Sequence, residues 1–191
     1  MMRRRQMMAG KASGGTYIYR LDNAPASTTN TGIILTDTDK DWTILVEASF
    51  PKAYEDSSYY YRNGNNQTTF FRNNSSMTLN SSAVGFGVYN YYGRMYWMGQ
   101  QNYTSNNSTK DFIRTDPRRY AAWHEKGTKV GKAKLNNSGI MTTPAADFAA
   151  DSTPIHIRGS GSYIEIRQVL IYDKLLTENE INAYITDGTI P

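Results

Sequence analysis

The sequence predicts an all-β protein: an antiparallel two-sheet β-sandwich of the jelly-roll kind, closed by one short C-terminal helix. Three observations lead there. Apolar and polar residues alternate through several short runs. Segments rich in Asn, Ser, Thr and Gly part those runs at spacings of roughly a dozen residues, the pattern of strands joined by polar turns. A single complete helix start occurs, close to the C-terminus, whereas a parallel α/β fold would need helices between its strands.

The elements follow in order. In W-T-I-L-V-E-A-S-F, residues Trp42, Ile44, Val46, Ala48 and Phe50 share one side and Thr43, Leu45, Glu47 and Ser49 the other, which predicts a half-buried strand. Residues 67–72 (QTTFFR) and 84–100 continue in kind. Within the latter, V-G-F-G-V-Y-N and R-M-Y-W-M-G-Q flank Tyr91-Tyr92-Gly93, a short Gly-containing connection that fits a hairpin. Two further strands are expected over Arg119–Glu125 and Lys129–Leu135, parted by a turn at Lys126-Gly127, and another over Pro154–Arg158. The last strand, Tyr163–Tyr172, changes phase: Ile164 and Ile166 share one face, Val169 and Ile171 the other. A bulge or bend near Arg167-Gln168 would reconcile them. Then Thr177 has the character of an N-cap, Glu180 stands where it can reach back from the third position, and Leu176 can staple to Ile181. The helix should run to about Ile185 and stop near Gly188.

Composition bounds the rest. A length of 191 residues suits one domain, assigned to 16–191, preceded by a basic arm over 1–15. With no Cys, disulfides and thiolate metal sites are both excluded. No run is long enough to span a membrane, and M-M-R-R-R-Q-M-M-A-G lacks the apolar stretch of a signal peptide. The Asn-x-Ser/Thr triplets, such as Asn74-Ser75-Ser76, are what a chain rich in those residues yields by chance. The net charge is +4, but Arg3, Arg4 and Arg5 carry three of those charges and leave +1 for the remainder. A nucleic-acid surface should spread positive charge over the domain, so nucleic acid is not an expected partner. An arm of that composition becomes ordered when a partner or a neighbouring copy holds it.

The stretch I-R-Q-V-L-I-Y-D-K-L-L-T-E-N-E-I, from Ile166 to Ile181, resembles the closing motif of the concanavalin A-like lectin and laminin G-like superfamily. There a strand of the form I-D-E-V-R-I-Y runs into a short helix begun by L-T/S-x-x-E-I. Upstream, D-K-D-W-T-I at Asp39–Ile44 resembles that family's early core strand, and K-L-N-N-S-G at Lys134–Gly139 its strand ending in an Asn-Gly turn. The resemblance implies a two-sheet jelly roll, with recognition of carbohydrate or protein as the common use. Where the family motif often carries Asp and Glu, this chain has Arg167 and Gln168, so a role for those acids does not carry over.

Candidate chemistry is sparse. Retaining glycosidases need two carboxylates about 5 Å apart, and the related glucanases place them as E-x-D-x-x-E on one strand. Here Glu165 stands alone beside Arg167, so no enzymatic activity is expected. His124 and His156 each lie alone in an alternating strand, with no grouping of a catalytic triad. No cofactor is expected; calcium is the minor exception. Asp37-Thr38-Asp39-Lys40-Asp41 has the D-x-D-x-D spacing of a calcium loop, but its sixth position is Trp42 rather than Gly and its twelfth is Ala48 rather than Glu. A metal site involving Asp37 and Asp39 therefore stands second to a solvated turn.

Sugars are held by stacking their C–H faces on aromatic rings while amides and guanidinium groups bond the hydroxyls. Three clusters supply such groups: Tyr59-Tyr60-Tyr61-Arg62-Asn63, Tyr91-Tyr92 with Arg94, and Gln100-Gln101-Asn102-Tyr103. From these come the candidate glycan contacts Tyr60, Arg62, Asn63, Tyr91, Tyr92, Arg94 and Tyr103. Protein interfaces and ordinary strands favour Tyr too, so the clusters leave those readings open. Trp42, Trp97 and Trp123 fall inside alternating strands and are expected in the core.

Two functional readings result. The first is a bacteriophage virion surface component, such as an auxiliary capsid, head-fibre or tail protein. It would be made in the host cytoplasm, anchored to other virion proteins and to copies of itself by Arg3, Arg4 and Arg5, and would display the sandwich toward a host glycan or protein. The alternative is a bacterial carbohydrate-binding module or adhesin, at the cell surface or outside the cell.

Overall fold

The computed structural model describes residues 16–35, 40–50, 67–72, 85–89, 94–99, 102–105, 116–128, 130–135, 139–142, 153–161 and 164–191. Along 67–69, 86–89, 94–99 and 102–105, and at 141, it is the backbone that is described. In chain order the strands are β1 (Tyr19–Asp22), β2 (Thr29–Asn30), β3 (Trp42–Ser49), β4 (Gln67–Arg72), β5 (Gly85–Tyr89) and β6 (Arg94–Gly99). Next come β7 (Asn102–Ser105), β8 (Arg118–His124), β9 (Gly131–Leu135), β10 (Met141–Thr142), β11 (His156–Ile157) and β12 (Glu165–Tyr172), before the helix α1 (Glu178–Asp187). They form two six-stranded antiparallel sheets: β1-β12-β3-β8-β9-β10, called sheet A, and β2-β11-β4-β5-β6-β7, called sheet B. The expected all-β sandwich is what the chain forms, with one helix, at the C-terminus, among the described residues.

The interior between the sheets follows from alternation. Ile44, Val46 and Ala48 of β3, Tyr120 and Ala122 of β8, Ala133 and Leu135 of β9, and Val169 and Ile171 of β12 meet Phe70, Phe71 and Ile157 from sheet B. Aromatic rings span the gap: Phe70 lies 4.7 Å from Tyr120 and 6.2 Å from Phe50, and Trp42 meets Phe71 edge-on at 6.5 Å. The anticipated irregularity in β12 is present. Register shifts between Ile166 and Gln168, so Ile166 opposes Ala48 while Val169 opposes Val46. That one extra residue brings Ile164, Ile166, Val169 and Ile171 to the same interior.

The expectation of a half-buried β3 is corrected: its second face is covered as well. Leu45, Ala121, Trp123, Leu170 and Tyr172 point away from the core into a second apolar cluster, closed by Tyr17, Leu176, Ile181, Tyr184 and Ile185. Helix α1 thus lies on the outer face of sheet A. Thr43 ties the lead-in to it, because its hydroxyl donates to the Lys174 carbonyl at 3.0 Å and accepts from the Leu176 amide at 3.1 Å. His124, buried, sits between the carbonyls of Lys40 (3.1 Å) and Thr128 (2.8 Å) and stacks on Trp42, linking the approach to β3 with the β8–β9 turn.

The helix ends as its residues dictate. Thr177 caps the start: the Glu180 amide donates to its hydroxyl, and its own amide donates to the Glu180 carboxylate at 2.7 Å. That bond from the Thr177 backbone holds the Glu180 carboxyl below its ordinary range. Gly188 ends the helix in the left-handed region at φ 81° and donates its amide to the Tyr184 carbonyl. No basic residue occupies the last turn. Arg119 of β8 supplies the cation instead, its guanidinium 2.8 Å from where a Gly188 Cβ would stand and 2.7 Å from Glu47. Beneath the helix, the hydroxyls of Tyr172 and Tyr184 are buried without a hydrogen-bond partner. Burial pushes the Tyr172 phenol up to about 12 and raises that of Tyr184 further.

Three outcomes are expected in urea unfolding. Gly188→Ala costs about 1–2 kcal/mol, since it forces a Cβ into left-handed backbone and onto Arg119. Tyr184→Phe is neutral or stabilises by about 0.5–1 kcal/mol, because the hydroxyl it removes is desolvated and unpaired. The gap between wild type and Glu180→Gln, present at pH 7, closes as pH falls below about 4: a depressed folded-state value means the contribution exists above the unfolded one and is lost in acid.

Candidate functional site

Sheet B carries a face whose composition comes from register. Phe71 opposes Phe86, Phe86 opposes Trp97, and Trp97 opposes Thr104. Phe71 belongs to the interior, so this row of positions lies on the inner face. Alternation assigns the neighbouring rows to the outer face: Arg72, Gly85, Met98 and Tyr103 on one side, and Gly87, Tyr96 and Ser105 on the other. The pair Tyr89 and Arg94 shares that outer parity.

Two of the three outer positions of β5 are therefore glycines, Gly85 and Gly87. Gly85 is itself buried, and neither glycine carries a side chain on this parity of the sheet. Along β6 and β7 the same parity holds the positions of Arg94, Tyr96, Met98 and Tyr103. On the other side of β5 stand Arg72 of β4 and its cross-strand partner His156 of β11. Both side chains are buried, Arg72 completely, and the His156 Nδ1 lies 2.9 Å from the Pro154 carbonyl. Sequence reading missed Arg72, Tyr96 and the two glycines. The alternation in QTTFFR and GFGVY was visible, but which parity faces out depends on pairing with Ile157 and on the shift between Thr69 and Phe71.

Of the candidate sugar contacts, Arg94 lies in β6 and Tyr103 in β7, at strand positions of the same parity. Tyr60, Arg62, Asn63, Tyr91 and Tyr92 lie outside the described residues. So do Arg3, Arg4 and Arg5, and Asp37 and Asp39. Asp41, the third acid of the D-x-D-x-D run, accepts a hydrogen bond from the Lys126 amide at 2.6 Å and thereby fixes the β8–β9 turn. Among the described residues no group of three or more His, Asp or Glu is placed to hold a metal ion. Glu165 accepts from Ser49 at 3.1 Å and from Arg167 at 3.2 Å, as a surface acid beside a cation should. Trp42 and Trp123 are buried as expected; Trp97 lies in β6 opposite Phe86.

No family model matches the chain, and no curated protein does. Solved structures match its fold. A carbohydrate-binding module, the CBM40 of an IT-sialidase from Ruminococcus gnavus bound to α2,3-sialyllactose, has a TM-score of 0.57 at 12% identity, covering 88% of this chain and 98% of the module. A K499G mutant of the NanB sialidase from Streptococcus pneumoniae has a TM-score of 0.57 at 10% identity over 87% of this chain and 28% of the enzyme. The leech intramolecular trans-sialidase has a TM-score of 0.56 at 12% identity, over 91% and 28% respectively. At these identities the likeness shows the fold alone, a two-sheet β-sandwich, and the chain spans 98% of the module but 28% of each of the two enzymes.

Proposed function

We propose that this protein is a carbohydrate-binding module that recognises a glycan on the outer face of sheet B and catalyses nothing. The observation that supports the reading is the register of β5–β7, in which the positions of Gly85, Gly87, Arg94, Tyr96 and Tyr103 share the parity opposite to that of Phe71. Aromatic side chains suit the C–H face of a pyranose ring, and a guanidinium suits a carboxylate through paired hydrogen bonds. The ligand class favoured is an acidic sugar. A module of the same fold supports it, since its bound ligand, sialyllactose, bears a carboxylate. Fold alone would not carry it, because one sandwich serves many uses.

Virion display, the first expectation, rests on the Arg3–Arg5 arm; none of the likenesses reported above is to a virion protein. The bacterial module, its alternative, therefore becomes the leading reading.

A glycan array read with the purified chain should show sialylated or uronic-acid glycans above their neutral counterparts. Tyr96→Ala and Tyr103→Ala should each weaken binding about tenfold or more, the scale of one lost aromatic contact. Arg94→Ala should erase the preference for acid over neutral glycans. Gly87→Leu should abolish binding by adding a bulky side chain among them, with the melting temperature of each variant checked in parallel. Binding unchanged across all four would end this reading.

A further inference from the structure

Two features remain unused by the glycan face: the Arg-rich arm and the acidic run ahead of β3. Among the described residues the exposed large apolar side chains are Ile18 at 37%, Ile34 at 44% and Ile140 at 45%. Ile18 and Ile34 line one open cleft of about 550 Å³, together with Ile33 and Leu35. Asp41, Asp173 and Lys40 line it too. The acids that border the cleft among the described residues are Asp41 and Asp173. An exposed apolar surface bordered by carboxylates calls for an occupant that is both apolar and cationic.

The chain carries such a segment within reach. Residues 1–11, M-M-R-R-R-Q-M-M-A-G-K, hold four methionines and four cations without an acid. Tyr17 is buried in the second apolar cluster, and the Ile18 amide bonds the Ile171 carbonyl at 2.8 Å. The arm is therefore anchored to the domain beside the cleft. The residues from Arg5 to Ile18 can extend roughly 40 Å, ample to double back. We propose that the cleft is the seat of the chain's own N-terminal segment, with Arg3–Arg5 answering Asp41 and Asp173 and the methionines covering Ile18 and Ile34. Unbranched methionine side chains fit an irregular apolar surface of this kind. The inference is independent of the glycan reading, since it uses none of the residues of sheet B.

The absence of cysteine allows a direct test on the full chain. Gln6→Cys, carrying a nitroxide, should broaden the amide signals of residues 33–35 and 173 to about half intensity or less at low salt. It should release them in 1 M NaCl, where screening acts within about 3 Å. Replacing Arg3, Arg4 and Arg5 with Ser, or Ile34 with Ser, should remove most of the effect without changing the far-ultraviolet circular dichroism. Broadening no stronger there than elsewhere on the surface, or insensitive to those substitutions, would overturn the proposal. So would broadening that appears only between copies in a mixture of labelled and isotope-enriched chains. Saturable shifts of the same amides by added Ca²⁺, with no label effect, would assign the acids to a cation and overturn it likewise.

Discussion

The structure depends on keeping both faces of sheet A dry. Three adjacent strands, β12, β3 and β8, carry apolar side chains on either side, and each side meets a different partner: sheet B within, helix α1 without. A strand of strict period two that started with Ile164 and Ile166 inward would turn Val169 and Ile171 outward and send Leu170 and Tyr172 into the core. The bulge at Arg167 prevents this by inserting one residue, itself exposed, between the two phases. The seat of the helix is therefore decided before the helix begins.

This division assigns different work to the two sheets. Sheet A is covered on the outside by α1 over β12, β3 and β8. Sheet B puts Phe70, Phe71 and Ile157 inward and carries Gly85 and Gly87 at the opposite parity. The Glu47–Arg119–Gly188 arrangement shows how closely the covered side is fitted: one guanidinium serves a carboxylate across the strands and the C-terminus of the helix.

Much of this was legible in the residues. The bulge, the β8–β9 turn, the capping box and the glycine stop are local signals, each a short pattern with one stereochemical solution, and the structure has all four. What stayed hidden was non-local. The burial of Leu45 and Thr43 comes from a helix more than a hundred residues further along the chain. The short strands β2 and β10 exist because a neighbour supplies the ladder, not because T-N or M-T prefers extension. As candidate sugar contacts, Arg94 and Tyr103 could be picked by type. Their common parity, shared with Gly85 and Gly87, required cross-strand register that no single segment encodes.

The place of β12 in sheet A has a consequence for how the molecule comes into being. β1 and β3 are near neighbours in sequence, yet β12 lies between them, so Tyr19 finds its partner only at Ile171 and Ile44 finds Ile171 on its flank. As the polypeptide emerges during translation, the first strand has nothing to zip against until the final one is complete. Closure is then a late, long-range event of high contact order, which makes for slow acquisition of the native state. Until it happens the nascent chain exposes unpaired edges and the apolar bed of the helix, the stage at which a chaperone would matter most.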